Sequence, residues 1–469
     1  MWTGLSQCKQ RLRQFARRED GAFAPAAGAA VVLMALAAGF AINTAQITNT
    51  RSNLLAALDS AVTSTARDLT TRAIEQEEAE EMVRAFLMAN GVLGFSEQDR
   101  LTLDYVRIDP IRRTVAAGAS VDIDYAFPLF SMSKSQKVSV STEAIYSDKA
   151  VEVAMVLDVT GSMEGQRMRD LKVAAKNAVR SFLKGQNADD PRVRVSIVPY
   201  AAAVNVGSLY DTVFREKYGK YQPDLPPQKD EPLEPAMGPH DDDCTTERKN
   251  KDREVDISDA APTTIRQNND DEDYFAWVNR DDRLDRGDCP SAVVVPLTAD
   301  VEKLVGEIND FEAKGTTAGQ IGIQWGWYML SEKWASELPT GSKPAAHDPE
   351  KVGKFLVLMT DGEFNTAYAG VDYTTTDRWG RTRTVNVNGQ ETKSGDYAER
   401  FCAAMKDDGI EIFSIGFQLD KWSAKQVMRN CASPDEGSIQ HYFEASTGDD
   451  LDDAFQTIVG NIERLSLIK

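Results

Sequence analysis

The stretch "VAMVLDVTGSMEG", Val153–Gly165, decides how this chain is read. An apolar run fit for a strand buried on both faces stops abruptly on Asp158, Thr160 and Ser162. These three oxygen-bearing side chains are spaced two residues apart, just before a helical pattern. By itself the stretch fits a capped strand-to-helix turn as well as it fits half of a metal site. The rest of the chain has to choose.

Downstream of residue 150, apolar strands alternate with helices. The strands are "VEVAMVLDV" (151–159), "RVRVSIVPYA" (192–201), "KFLVLMT" (354–360), "IEIFSIGF" (410–417) and the short "HYFEA" (441–445). Helical periodicity falls at 167–185, 299–313, 318–334, 395–409, 423–432 and 448–465. Buried strands joined by helical crossovers predict an α/β fold with a doubly wound, mostly parallel sheet. In such sheets ligands bind beyond the carboxyl ends of the strands. Three motifs fall in that position. They are Asp158-Val159-Thr160-Gly161-Ser162, the segment "KGTTAG" around Thr316 and Thr317, and "LMTDGEFN". In the last, Asp361 directly follows a strand and Gly362 permits the turn. Each motif alone is common. In this order, within an α/β chain, they form one constellation.

Its chemistry suits a hard divalent cation. Magnesium takes six oxygens in near-octahedral geometry and keeps several waters. The hydroxyls of Thr160, Ser162 and Thr317 can ligate directly, while Asp158 and Asp361 can act through water. Neutral hydroxyl ligands leave such an ion electrophilic towards a carboxylate presented by a partner. These residues resemble the metal-ion-dependent adhesion site (MIDAS) of von Willebrand factor A domains. The resemblance implies a central parallel sheet wrapped by helices, with Mg²⁺ (or Mn²⁺ or Ca²⁺) on its upper rim. Thr160 stands where many members have Ser and keeps the hydroxyl. "GTTAG" departs from the commoner Gly-Gly-Thr pattern, and Thr317 rather than Thr316 is the expected ligand.

The N-terminal part is of a different kind. Lys9, Arg11, Arg13, Arg17 and Arg18 face only Glu19 and Asp20 in a basic tail, 1–20, and an uncharged, Ala-rich stretch runs on from Gly21 to Thr50. That stretch can cover the roughly 30 Å hydrocarbon core. The basic flank places the tail in the cytoplasm and exports the remainder of the chain. A cleaved signal peptide is the competing reading. The length of the apolar region, and the helical pattern that continues beyond it, favour a retained anchor over 21–47. From Arg51 to about Asn90 the apolar spacing predicts one long amphipathic helix, and "LTLDYVRI", "TVAAGASVDIDYAF" and "KVSVSTEAIYS" predict antiparallel strands. Together they make a stalk over 48–150, before an A-type domain over 151–469.

A basic tail, an Ala-rich span, a helix-plus-strand stalk and then "CAAMKDDGIEIFSIGF" and "NCAS…HYFEAS" resemble TadG-like proteins of the bacterial tight-adherence (Flp) pilus-assembly system. The resemblance implies an inner-membrane protein that builds or anchors the pilus. Its bulk would lie in the periplasm or at the cell surface, and its partners would be other pilus or envelope proteins. Ala26 stands where pilin-like members carry Glu five residues after a Gly, so leader processing of that type is not expected.

Four cysteines lie beyond the span. Export to an oxidising compartment predicts disulfides, and Cys244–Cys289 and Cys402–Cys431 would each close a local loop. Two insertions interrupt the α/β pattern. Residues 207–290 hold 22 acidic side chains against 12 basic ones, and eight of the 18 prolines, which reads as a partly disordered segment with a solvated charged face. Calcium is disfavoured there, because Arg283 breaks the EF-hand register. Residues 364–395 read as a polar hairpin or loop. Trp325, Trp327 and Tyr328 read as packing, and Glu363 as an exposed loop residue.

Composition narrows function further. A net charge of −20 argues against a nucleic-acid partner. Phosphate-binding glycine motifs are missing, so nucleotide chemistry has no support. His240, His347 and His441 lack zinc-ligand spacing, and no nucleophile–base pair stands out, so an enzyme is not expected. Two further readings stay open. One is a purely structural pilin-like stalk with the A-type domain as a passive spacer. The other is a chelatase- or ATPase-associated A domain, disfavoured by export and by the lack of an ATPase module.

Overall fold

The computed structural model describes residues 23–70, 73–91, 101–127, 135–147, 149–186, 190–210 and, apart from 251, 263, 268–272, 277, 279 and 282, residues 242–468. The basic tail, Cys8, residues 211–241 with His240, and most of "NNDDED" lie outside them. The chain forms two compact units, Met1–Leu69 with Ile74–Tyr146, and Thr70–Ala73 with Ser147–Lys469.

In the first unit, helix α1 (Phe23–Thr70) is 48 residues long, about 72 Å at 1.5 Å per residue. Among the described residues it is the one helix long and apolar enough to cross a membrane, with a mean hydropathy of 2.1 in its most apolar window. Val31, Val32, Leu33, Met34 and Phe40 are exposed on it. Further along, Leu54, Leu58, Val62 and Leu69 are buried against Val83 and Leu87 of α2 (Ala79–Gly91) and against a sheet. That sheet is antiparallel, in the order β1 (Leu101–Asp109), β2 (Thr114–Asp124), β3 (Ser135–Ile145), and gives Val115, Ala117, Val121 and Val138 to the shared core.

The single helix expected over 51–90 is in fact two. The first helix ends at Thr70, and a 3-10 turn, Gln76–Glu78, leads into α2. Glu75 and Glu78 close a capping box there, the Glu75 amide donating to Glu78 Oε2 at 3.1 Å. The acid-rich run 75–81 suits a helix start, where free amides and the helix dipole favour negative charge, better than a helix interior.

The second unit is built on a six-stranded sheet. Its strands are β4 (Ala150–Asp158), β5 (Val193–Tyr200), β10 (Val295–Thr298), β11 (Val352–Thr360), β14 (Glu411–Phe417) and β15 (Tyr442–Ala445), in the order β10-β5-β4-β11-β14-β15. Every pairing is parallel except β10 with β5. The edge strand β10 was not expected, because Pro296 interrupts its short run; a proline that cannot donate to a ladder is tolerated at an edge.

Successive residues of β4 feed opposite faces, as strand geometry requires. Val151, Val153, Met155 and Leu157 pack with helices α3 (Gln166–Phe182), α4 (Val301–Asn309) and α8 (Gly448–Ile468). Ala154 and Val156 pack with α5 (Gly319–Leu330), α6 (Glu391–Asp407) and α7 (Trp422–Cys431). Helices therefore cover both faces, the doubly wound arrangement expected.

All twelve residues of α5 are buried, because the acidic insertion covers its outer side. Trp325 Nε1 donates to Thr245 Oγ1 at 2.8 Å, and Gln320 Nε2 to Glu247 Oε1 at 2.8 Å. Tyr328 stacks on Trp334 with ring centroids 4.1 Å apart. The aromatic residues of α5 are packing, as expected. The described part of the insertion contributes small ribbons: β7 (Cys244–Thr245) pairs with β6 (Val204–Asn205) just before it, and β8 (Ile265–Gln267) pairs with β9 (Asp273–Phe275).

The solvated reading is overturned at several of the described charged side chains of this region. Arg248, Arg280 and Asp281 are fully buried, paired as Arg248–Asp256 (3.1 Å), Arg280–Asp242 (2.7 Å) and Lys249–Asp281 (2.6 Å). Arg283, which spoils a calcium loop, is itself the second partner of Asp281, at 2.8 Å. Opposite charges share the interior because each finds a partner there. Cys244–Cys289 and Cys402–Cys431 are both bonded, as expected. The second insertion forms the exposed hairpin β12 (Thr374–Thr376) and β13 (Thr382–Thr384).

Candidate metal centre

Strand register sets the site. β5, β4 and β11 are parallel neighbours, so their carboxyl ends share one rim. Asp158 pairs with Tyr200, and Leu157 with Met359, which brings Thr360 alongside Asp158. The fully buried carboxylate of Asp158 accepts from the Thr160 amide at 2.8 Å through Oδ1. Its Oδ2 accepts from Thr360 Oγ1 at 2.7 Å and from the Tyr200 hydroxyl at 3.3 Å. Thr160 Oγ1 and Ser162 Oγ lie 2.9 Å apart, and Ser162 Oγ donates to Asp361 Oδ1 at 2.6 Å. Four of the five expected ligands thus form one continuous cluster of oxygens.

The second loop meets the first through its backbone. The Gly161 amide donates to the Gly315 carbonyl at 3.0 Å, and the Lys314 amide to the Val159 carbonyl at 2.9 Å. Gly315 has φ +74°, and a Cβ there would stand 2.8 Å from the Asp288 carbonyl oxygen, so this approach needs glycine. Thr317 is buried, its amide donating to Asn365 Oδ1 at 3.1 Å and its carbonyl accepting from the Asn365 amide at 2.8 Å. Thr316 spends its hydroxyl on Asn388 and Thr366. Among the described residues the Thr317 hydroxyl makes no such bond, which separates the two threonines.

The electrostatics are those of crowded buried acids. Burial, and then the charge of Asp361, push the Asp158 carboxyl up to about 7. Burial also raises Asp361, against the pull of Ser162 and Arg167. Arg167 Nη1 lies 2.9 Å from Asp361 Oδ2. Glu363 is tied to Lys421 at 2.5 Å and to Ser423 rather than free in the loop. A cleft of about 370 Å³ adjoins the site, with Phe364, Val427 and Met428 among apolar linings and Glu391, Asp396 and Glu399 among acidic ones.

The donor set fits a hard cation: carboxylates and neutral hydroxyls, with neither sulfur nor imidazole. Among the described residues no group of three or more His, Cys, Asp or Glu is placed to hold a metal ion. Tyr200, Thr360, Arg167 and Asn365 were not foreseen. Tyr200 shared the signal of Asp158, a polar group ending a buried strand. Arg167 had none.

No family model matches the chain, and no curated protein matches it. Several solved structures are similar. The vWF domain of the type V pili tip protein Mfa5 from Porphyromonas gingivalis aligns with a TM-score of 0.38 and 13% identity, over 68% of this chain and 97% of that one. The pilus adhesin SpaC from Lactobacillus rhamnosus GG gives 0.35 and 14% identity, over 79% of this chain and 35% of that one. Proximal thread matrix protein 1 from the mussel byssus, in a form with a zinc-occupied MIDAS motif, gives 0.29 and 13%, over 66% and 45%.

Proposed function

We propose that this chain is a membrane-anchored adhesion or assembly protein of the tight-adherence (Flp) pilus system, similar to TadG. It binds a carboxylate of an envelope or pilus partner through a divalent cation, Mg²⁺ or alternatively Mn²⁺ or Ca²⁺. Asp158, Thr160, Ser162, Thr317 and Asp361 hold the cation, and its role is binding rather than catalysis. The anchor is the span 21–47, inserted in the inner membrane with the N-terminus cytoplasmic and the second unit outside the cytoplasm.

The observation that carries this reading is the hydrogen-bonded cluster from Asp158 through Thr160 and Ser162 to Asp361. It lines up carboxylates and hydroxyls at the rim where the parallel strands β5, β4 and β11 end side by side. The charge balance supports an anionic partner. Asp158 and Asp361 offset a divalent ion, and Arg167 then leaves the rim one positive charge in excess.

Equilibrium dialysis against Mn²⁺ tests the site. The wild-type chain should bind one ion, and Ser162→Ala and Asp158→Asn should each lose at least about tenfold in affinity. Equal binding by all three would remove the site from these residues.

A further inference from the structure

Arg167 is the second residue of α3, about one-third exposed, and its guanidinium is fixed from three sides. Nε donates to Gln418 Oε1 at 2.9 Å, and Nη1 donates to the Ser162 carbonyl at 3.3 Å and to Asp361 Oδ2 at 2.9 Å. Gln418, just beyond β14, has φ +53°, a conformation disfavoured for a residue with a side chain. Its amide donates to the Ala445 carbonyl at 2.7 Å, which holds it in place. A strained glutamine, a carbonyl of the first loop and a carboxylate of the third thus converge on one arginine.

We propose that Arg167 is a built-in counter-charge that competes with the cation for Asp361 and lowers the cation affinity of the rim. The inference rests on the cation reading above. A guanidinium stays charged at every physiological pH and matches a carboxylate in shape. In the cation-free chain it balances Asp361, whose other oxygen is held by Ser162, so the two buried carboxylates keep their positions without an ion. When a divalent ion is present the same charge repels it across a few ångströms of poorly screened interior. Arg167 therefore keeps the site assembled and moderates its affinity at the same time. Gln418 is the positioning residue that keeps the guanidinium over Asp361.

Mn²⁺ titration of the full-length chain in mild detergent, read by electron paramagnetic resonance of the free ion, tests this. The proteins compared are wild type, Arg167→Gln, Arg167→Lys and Gln418→Ala. Arg167→Gln should bind Mn²⁺ about tenfold more tightly, because one nearby positive charge is gone. Arg167→Lys keeps the charge and should stay within about threefold of wild type, with Gln418→Ala between the two. Without metal, Arg167→Gln should melt below wild type, and saturating Mn²⁺ should close that gap. Equal or weaker Mn²⁺ binding by folded Arg167→Gln overturns the inference and leaves the cation reading intact. Mn²⁺ binding by none of the four proteins overturns both. If Arg167→Gln does not fold, Gln418→Ala decides: tighter binding than wild type supports the role, and unchanged binding refutes it.

Discussion

Asp158 carries the clearest consequence at the scale of a single residue. Burial first, and the neighbouring charge of Asp361 second, move its carboxyl up to about 7. In the unfolded chain it ionises near 4. Between those values the folded state holds a proton that the unfolded state has lost, so this group stabilises the fold at low pH and ceases to do so as pH rises through 7. We expect the cation-free chain to melt lower at about pH 8 than at about pH 5.5. Mg²⁺ should restore much of the loss at the higher pH and little at the lower. Asp158→Asn should flatten both responses. A cation-free melting temperature that does not fall between those pH values would count against an ionised, ion-seeking Asp158.

At the scale of elements, α5 and the insertion that covers it determine how the rim is supported. Gly322 of α5 lies so close to the sheet that a Cβ there would sit 2.7 Å from Tyr200 Cδ1 and 2.9 Å from Val156 Cγ1. Gly322→Val should destabilise the second unit by about 1–3 kcal/mol and weaken Mn²⁺ binding, because Tyr200 touches Asp158; chemical denaturation and dialysis read the two effects. In the insertion, burial pushes Asp281 up, but Arg283 and Lys249 outweigh it and hold the carboxyl well below its usual range. Its contribution to stability is therefore present above pH 4 and fades as pH falls below that. Arg283→Ala should cost about 1.5–3 kcal/mol at neutral pH, measured by urea unfolding, by removing one of the two cations that hold the buried Asp281 carboxylate.

These elements also show what a sequence can disclose. The runs of β4, β5 and β11 announce a parallel sheet because apolar residues fill most of their positions on both faces, and Asp158, Thr160, Ser162, Thr317 and Asp361 stand out because residue type and short spacing within each motif identify them. Tyr200 and Thr360 join the site through register between distant strands, and Arg167 and Gln418 through a side-chain contact between residues 251 apart in the chain, neither of which local spacing encodes. For the insertion, composition shows the sign of each charge but not its partner. That is why a set of interior ion pairs read as a solvated face.

At the scale of the whole molecule, a long helix with an exposed apolar portion and a separate α/β unit with an oxygen-lined rim suit an anchored binding protein. A chain cut back to 1–150 should remain in the membrane fraction after a carbonate wash yet lose partner capture, and loss of the membrane fraction would remove α1 as the anchor. The central claim, cation-dependent capture of a partner's carboxylate, is tested most directly by co-purification from membranes with Mg²⁺ and with chelator, for wild type and Asp158→Ala. A partner recovered only with wild type in Mg²⁺ is the expected result. Recovery of the same partner in equal amount with chelator, or with Asp158→Ala, would contradict it.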